Sequence, residues 1–106
     1  MQIEREVQVP DNWVILKVNM NGKIVYRVLA SWSGGYLDSD FCTINSGITA
    51  VERYGDYYDF TGISGSLYRC HRNNEKVSMA MQPYNMLVAD DRVEHVSVED
   101  IRLEEK

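Results

Sequence analysis

The stretch Trp13-Val14-Ile15-Leu16-Lys17-Val18-Asn19-Met20-Asn21-Gly22-Lys23-Ile24-Val25-Tyr26-Arg27-Val28-Leu29-Ala30-Ser31-Trp32 decides the reading of this chain. Two runs rich in β-branched and aromatic residues flank Asn21-Gly22. Glycine takes positive φ without a Cβ clash, and asparagine tolerates turn geometry. Runs of this kind joined by Asn-Gly read as a β-hairpin.

Alternation suggests a register. Val14, Leu16 and Val18 share one face of the first strand; Ile24, Tyr26, Val28, Ala30 and Trp32 share one face of the second. A two-residue loop at Asn21-Gly22 pairs Leu16 with Arg27 and Val18 with Val25, mixing those faces. A three-residue loop, Met20-Asn21-Gly22, pairs Val18 with Ile24, Leu16 with Tyr26 and Val14 with Val28. A one-residue slip moves every side chain to the other face, so a hairpin with one buried face selects the three-residue loop. That loop is a type I turn with Gly22 left-handed in a bulge.

Further turn signals follow about every eight to ten residues, the mark of small sandwiches and barrels. Before the hairpin, Val7 and Val9 alternate with polar residues and suit a short edge strand ahead of Pro10-Asp11-Asn12. After it comes a loop by composition, Ser33 to Asp40, then short strands over Phe41 to Asn45, Ile48 to Tyr54, Tyr57 to Thr61 and Ser66 to His71. Ser46-Gly47, Gly55-Asp56 and Gly62-Ile63-Ser64-Gly65 separate them. Arg72 to Lys76 is a polar loop. Pro83 is placed to start a short helix over Pro83 to Ala89. Val93 to Leu103 has two readings. Val96 and Val98 alternate as in a strand, and Ser97-Val98-Glu99-Asp100 is a capping box that opens a helix.

The expected fold is mainly β: one domain, a small antiparallel barrel or strongly bent sheet, with one short helix covering an open end. The alternative is α+β. Its expected core is Val14, Leu16, Val18, Ile24, Tyr26 and Val28, joined by Ile44, Val51, Phe60 and Leu67. The 106 residues suit a single domain, and 44% apolar residues suffice for a core without staples.

No apolar run approaches the roughly 20 residues of a membrane helix. The first six residues, Met1 to Glu6, carry charges where a signal peptide has an apolar stretch, so a cytoplasmic protein without membrane contact is expected. Cys42 and Cys70 then read as reduced and buried, with a Cys42–Cys70 disulfide the lesser alternative. The net charge is −5, of which residues 90–106 hold −4. With a nearly neutral body and no basic stripe, direct nucleic-acid binding is not expected.

No motif assembles a catalytic or cofactor site. Cys70-His71 is the first pair to weigh, since a thiolate–imidazole dyad needs both side chains together. Adjacent strand residues point to opposite faces, so the strand reading excludes the dyad. Cys42, Cys70, His71 and His95 match no zinc spacing. Asp38-Ser39-Asp40 lacks the glycine and glutamate of a calcium loop. Ser33-Gly34-Gly35 and Gly62-Ile63-Ser64-Gly65-Ser66 lack the lysine of a phosphate loop and the glycine spacing of a dinucleotide turn. No catalytic residue, metal or cofactor is therefore expected.

The aromatic residues carry more. Rigid amphipathic rings dominate interface hot spots. Trp32 and Tyr36, with Asp38 and Asp40 from the same loop, and Tyr57 and Tyr58 from a neighbouring strand form the candidate partner-binding set. One of Tyr57 and Tyr58 must face the core and the other solvent.

Trp32-Ser33-Gly34-Gly35-Tyr36, Asn45-Ser46-Gly47-Ile48, Gly55-Asp56-Tyr57-Tyr58 and Gly62-Ile63-Ser64-Gly65-Ser66-Leu67-Tyr68-Arg69-Cys70-His71 resemble a group of short uncharacterised bacterial proteins, often phage or prophage encoded. The resemblance covers a little over half the chain and brings no functional residues with it. It implies a small accessory protein acting on a host protein. The expected function is a non-enzymatic module that binds a protein partner. The alternatives are an acidic inhibitor of a nucleic-acid-handling or defence protein, working as a nucleic-acid mimic through residues 90–106, and a phage structural component.

Overall fold

The computed structural model describes residues 7–32 and 41–103, with only the main chain of Phe41 and Tyr54. The described chain is mainly β. In order, the elements are β1 (Val7–Gln8), β2 (Asn12–Met20), β3 (Lys23–Trp32), β4 (Phe41–Ile44), β5 (Ile48–Tyr54), β6 (Tyr57–Gly62), β7 (Leu67–His71), α1 (Tyr84–Val88) and β8 (Val93–Val96). Short 3-10 turns occupy Arg72–Asn74 and Val98–Asp100. The strands form two four-stranded sheets, β1-β7-β6-β5 and β4-β3-β2-β8. Every pairing is antiparallel except that of β1 with β7. The sheets do not close into a barrel; they face each other across a core.

That core draws on both sheets. Trp13, Ile15, Tyr26, Val28 and Ala30 from the β2-β3 hairpin meet Ile48, Phe60, Tyr68 and Cys70. The Trp13 ring lies 5.4 Å from Phe60 and 5.9 Å, edge to face, from Tyr58. Its indole N–H donates to the His71 carbonyl at 2.8 Å, which satisfies the ring's one polar atom. Thr43 Oγ1 and the Tyr68 hydroxyl, 3.0 Å apart, tie β4 to the opposite sheet.

The other face of β2-β3 is buried as well. Val14, Leu16 and Leu29 pack with Met81, and Tyr84, Leu87 and Val88 of the helical segment press onto them. A hydrogen bond of 2.8 Å between Ser31 Oγ and Ser78 Oγ fastens the approach to that segment. The helix therefore covers a sheet face, not an open end as the sequence suggested. It is also one turn only, from Tyr84 to Val88, as expected of a five-residue stretch held by packing.

The doubly covered hairpin corrects the register expected from sequence. Met20 pairs with Lys23, Val18 with Val25 and Leu16 with Arg27, around a two-residue loop. Asn21 (φ 56°) and Gly22 (φ 91°) are both left-handed, which makes a type I′ turn. The Gly22 N–H donates to Asn19 Oδ1 at 2.8 Å. The three-residue loop rested on one buried face. With both faces apolar and covered, burial no longer discriminates, and the twist preference of Asn-Gly decides.

The same cause moves the core. Trp13, Ile15 and Leu29 join Val14, Leu16, Tyr26, Val28 and Phe60 inside, whereas Val18, Val51 and Leu67 are half-buried. Ile24 (37% exposed) and Ile44 (40%) lie at the surface. Residues 93–103 contain both elements that the sequence left open. Val93–Val96 is a strand beside β2, and Ser97 and Asp100 close a capping box around the 3-10 turn that follows.

The strong bend sits at Asn45-Ser46-Gly47, where the chain leaves one sheet for the other. The Asn45 N–H donates to the Val28 carbonyl at 3.0 Å, and the Val28 N–H donates to Asn45 Oδ1 at 2.8 Å. Gly47 has φ 136°, and a Cβ there would stand 2.8 Å from Ile63 Cδ1 and 3.0 Å from Val25 Cγ1. Only glycine suits that approach.

Candidate interaction surface

Alternation along β6 and β7 builds the outer face of the β1-β7-β6-β5 sheet. Tyr58 and Phe60 point inward opposite Cys70 and Tyr68, so Tyr57, Asp59 and Thr61 point outward opposite His71, Arg69 and Leu67. Asp59 and Arg69 form a two-pronged pair, Nε to Oδ1 at 3.0 Å and Nη2 to Oδ2 at 3.1 Å. The fork fixes two planar groups in one geometry at the middle of the face.

Beside this pair the Tyr57 ring stands edge-on to His71, centroids 5.2 Å apart. His71 Nδ1 accepts the Asn73 N–H at 3.1 Å, which fixes the orientation of the ring. Tyr57 is 39% exposed. Tyr58 is half-buried against Trp13 and Phe60, with the Arg53 guanidinium 5.7 Å from its ring. Of the consecutive tyrosines, Tyr57 is the surface residue and Tyr58 belongs to the core.

Trp32 is half-buried against the core, and its indole N–H donates to the Val9 carbonyl at 3.0 Å. It thereby reaches the edge of the same sheet, because β1 ends one residue before Val9 and its Gln8 pairs with Tyr68. Tyr36, Asp38 and Asp40 lie outside the described residues. Val7 of β1 and Val9 just beyond it, both exposed, add apolar surface at this edge. The sequence signal for them was their alternation. The Asp59–Arg69 pair had no sequence signal beyond opposite charge, since its partners meet only through strand pairing.

Reactive groups are placed differently. Cys70 is fully buried on the inner face, while His71 is on the outer face of the same strand. Burial pushes the Cys70 thiol well above its ordinary range, and the charges of Asp59 and Glu75 push it further. Cys42 is half-buried, and neither cysteine is in a disulfide. His95 Nδ1 is 2.8 Å from the Tyr84 hydroxyl. Among the described residues no three Cys, His, Asp or Glu side chains gather where they could hold a metal.

Two acids of the C-terminal region are engaged locally. Arg92 clasps Asp90 through its guanidinium and main-chain N–H, which holds the Asp90 carboxyl far below the usual carboxylate range. Asp100 accepts from both the main chain and the hydroxyl of Ser97. No described helix is long and apolar enough to cross a membrane. No family model, curated protein or solved structure matches the chain.

Proposed function

We propose that this protein is a non-enzymatic binding module that presents the outer face of the β1-β7-β6-β5 sheet to a protein partner. The observation that carries the reading is Tyr57, an exposed ring braced by His71 beside the Asp59–Arg69 fork. A rigid aromatic next to an oriented arginine is the composition of interface hot spots, because neither loses much conformational freedom on docking. Trp32 and the exposed Val7 and Val9 extend the surface along the sheet edge.

The one thiol–imidazole neighbour pair is split between two faces of a strand, which favours binding over catalysis. Two unpaired cysteines suit a reducing compartment, and we place the module in the cytoplasm. The resemblance to phage- and prophage-encoded proteins points to a host protein as the partner.

The test compares affinity purifications from the native host with wild-type, Tyr57→Ala and Arg69→Ala baits, quantified by mass spectrometry. A partner retained by wild type and depleted by both variants, each shown to be folded, supports the reading. Identical recoveries from all three baits overturn it.

A further inference from the structure

Strand β5 is the last of its sheet, paired with β6 alone among the described strands. Its Val51 and Arg53 stand opposite Phe60 and Tyr58, so both side chains lie on the inner side of the sheet. The chain beyond β8 returns to this side: Val98 is buried in the core, and Ile101 and Leu103 are half-buried against it. The two segments leave a cleft of about 490 Å³, lined by Val51, Arg53, Val98, Ile101 and Leu103.

The lining combines aliphatic walls with a single charge. Val51, Val98, Ile101 and Leu103 offer branched hydrocarbon, and the volume is that of a small-molecule pocket. Arg53 is exposed, and its guanidinium lies over the Tyr58 ring, 5.7 Å from the centroid. Tyr58 is held in turn by Trp13 and Phe60. A guanidinium seated on a ring keeps its N–H fork in its own plane, the geometry that matches a carboxylate. Among the described residues no carboxylate pairs with Arg53. Glu52 alternates to the outer face of the sheet, and Asp100 is engaged by Ser97.

We propose that this cleft binds a small aliphatic carboxylate, its chain against Val51, Val98, Ile101 and Leu103 and its carboxylate on Arg53. The charge of Arg53 opposes an aliphatic amine and gains nothing from a neutral hydrocarbon. A peptide C-terminus carries the same carboxylate, but its last amide would be desolvated among side chains of which only Arg53 is polar. A free aliphatic acid has no such group to leave unpaired. The site is separate from the Tyr57 surface and holds whether or not that surface binds a protein.

The test is an NMR titration of the methyl-labelled protein at pH 7 with octanoate, hexanoate and octanamide. Saturable shifts of the Val51, Val98, Ile101 and Leu103 methyls with octanoate are expected. Hexanoate should bind about tenfold more weakly, because each buried methylene contributes about three- to fourfold. Octanamide should also bind about tenfold more weakly, for want of a charge-assisted hydrogen bond. Arg53→Gln, a change at an exposed position, should erase the preference for octanoate over octanamide. Arg53→Lys keeps the charge without the fork and should retain part of that preference; it decides the matter if Arg53→Gln does not fold. Shifts that grow without saturating, equal affinities for octanoate and octanamide, or a preference that survives Arg53→Gln overturn the proposal. Tighter binding of N-acetylleucine than of 4-methylpentanoate overturns it as well, in favour of a peptide C-terminus.

Discussion

The Val28 N–H finds its acceptor in a side chain: Asn45 Oδ1, at 2.8 Å, stands where a continuing β4 would supply a main-chain carbonyl. Because Asn45 returns its own N–H to the Val28 carbonyl, the ladder stays closed while the chain turns away toward β5. A buried amide thus lets one strand leave a sheet without orphaning its neighbour's donor. Asn45→Ala removes that acceptor from a fully buried site, and a loss of about 1–3 kcal/mol in a urea titration is expected. Asn45→Asp keeps an oxygen but buries a charge, and should be no better than alanine.

The type I′ turn makes a separate prediction. Open space surrounds Gly22, so any penalty for a side chain there comes from the backbone alone. Gly22→Val should cost about 1–3 kcal/mol, because a β-branched residue is strained at positive φ. Gly22→Asn should cost far less. Thermal melts followed by circular dichroism separate the two, and equal melting temperatures would contradict the turn assignment.

Consecutive tyrosines should behave oppositely. Tyr58→Ala opens a gap beside Trp13 and Phe60 and should destabilise the protein by about 2 kcal/mol, below the cost for a fully buried ring. Tyr57→Ala is expected to stay within about 1 kcal/mol of wild type. Denaturant midpoints for the two variants provide the check.

The thiols should report on burial. Cys70 is sealed in the core with its thiolate disfavoured, so a thiol reagent should reach it only when the fold opens. Cys42→Ser isolates this signal from the half-buried Cys42. Labelling of that variant by iodoacetamide at the rate of global unfolding is expected; labelling within the mixing time would place Cys70 elsewhere.

Glu75 makes the stability depend on pH. Burial, and the nearby negative charge of Glu99, raise its folded-state pKa above the unfolded value. At a pH below both values the residue is protonated in either state and carries no penalty. As pH rises through the folded value, the folded protein must ionise it at a disfavoured site, and stability falls. Glu75→Gln should therefore stabilise the protein at pH 7 and lose that advantage near pH 4. Melting temperatures of both proteins across this range test the sign.

Element boundaries were largely legible because they depend on local chemistry. The strands over Tyr57 and Leu67 and the single helical turn after Pro83 follow turn residues and alternation that a few neighbouring positions carry. The outward or inward choice between Tyr57 and Tyr58 was legible only as a choice. The choice depended on Trp13, which lies on the hairpin of the other sheet and packs edge to face with Tyr58. The loop from Gly62 to Ser66 was visible as a glycine-serine turn, but its approach to Asn45, where the chain passes between the sheets, was not.

Local sequence thus carries the strands, their turns and the parity that separates Cys70 from His71, since each is a matter of φ preference and a two-residue repeat. Register, the second buried face of β2-β3 and the fork between Asp59 and Arg69 were settled only by tertiary packing. An alternating strand states which side chains share a face. It does not state whether that face, the opposite one or both will be covered, because the cover arrives from segments distant in the chain.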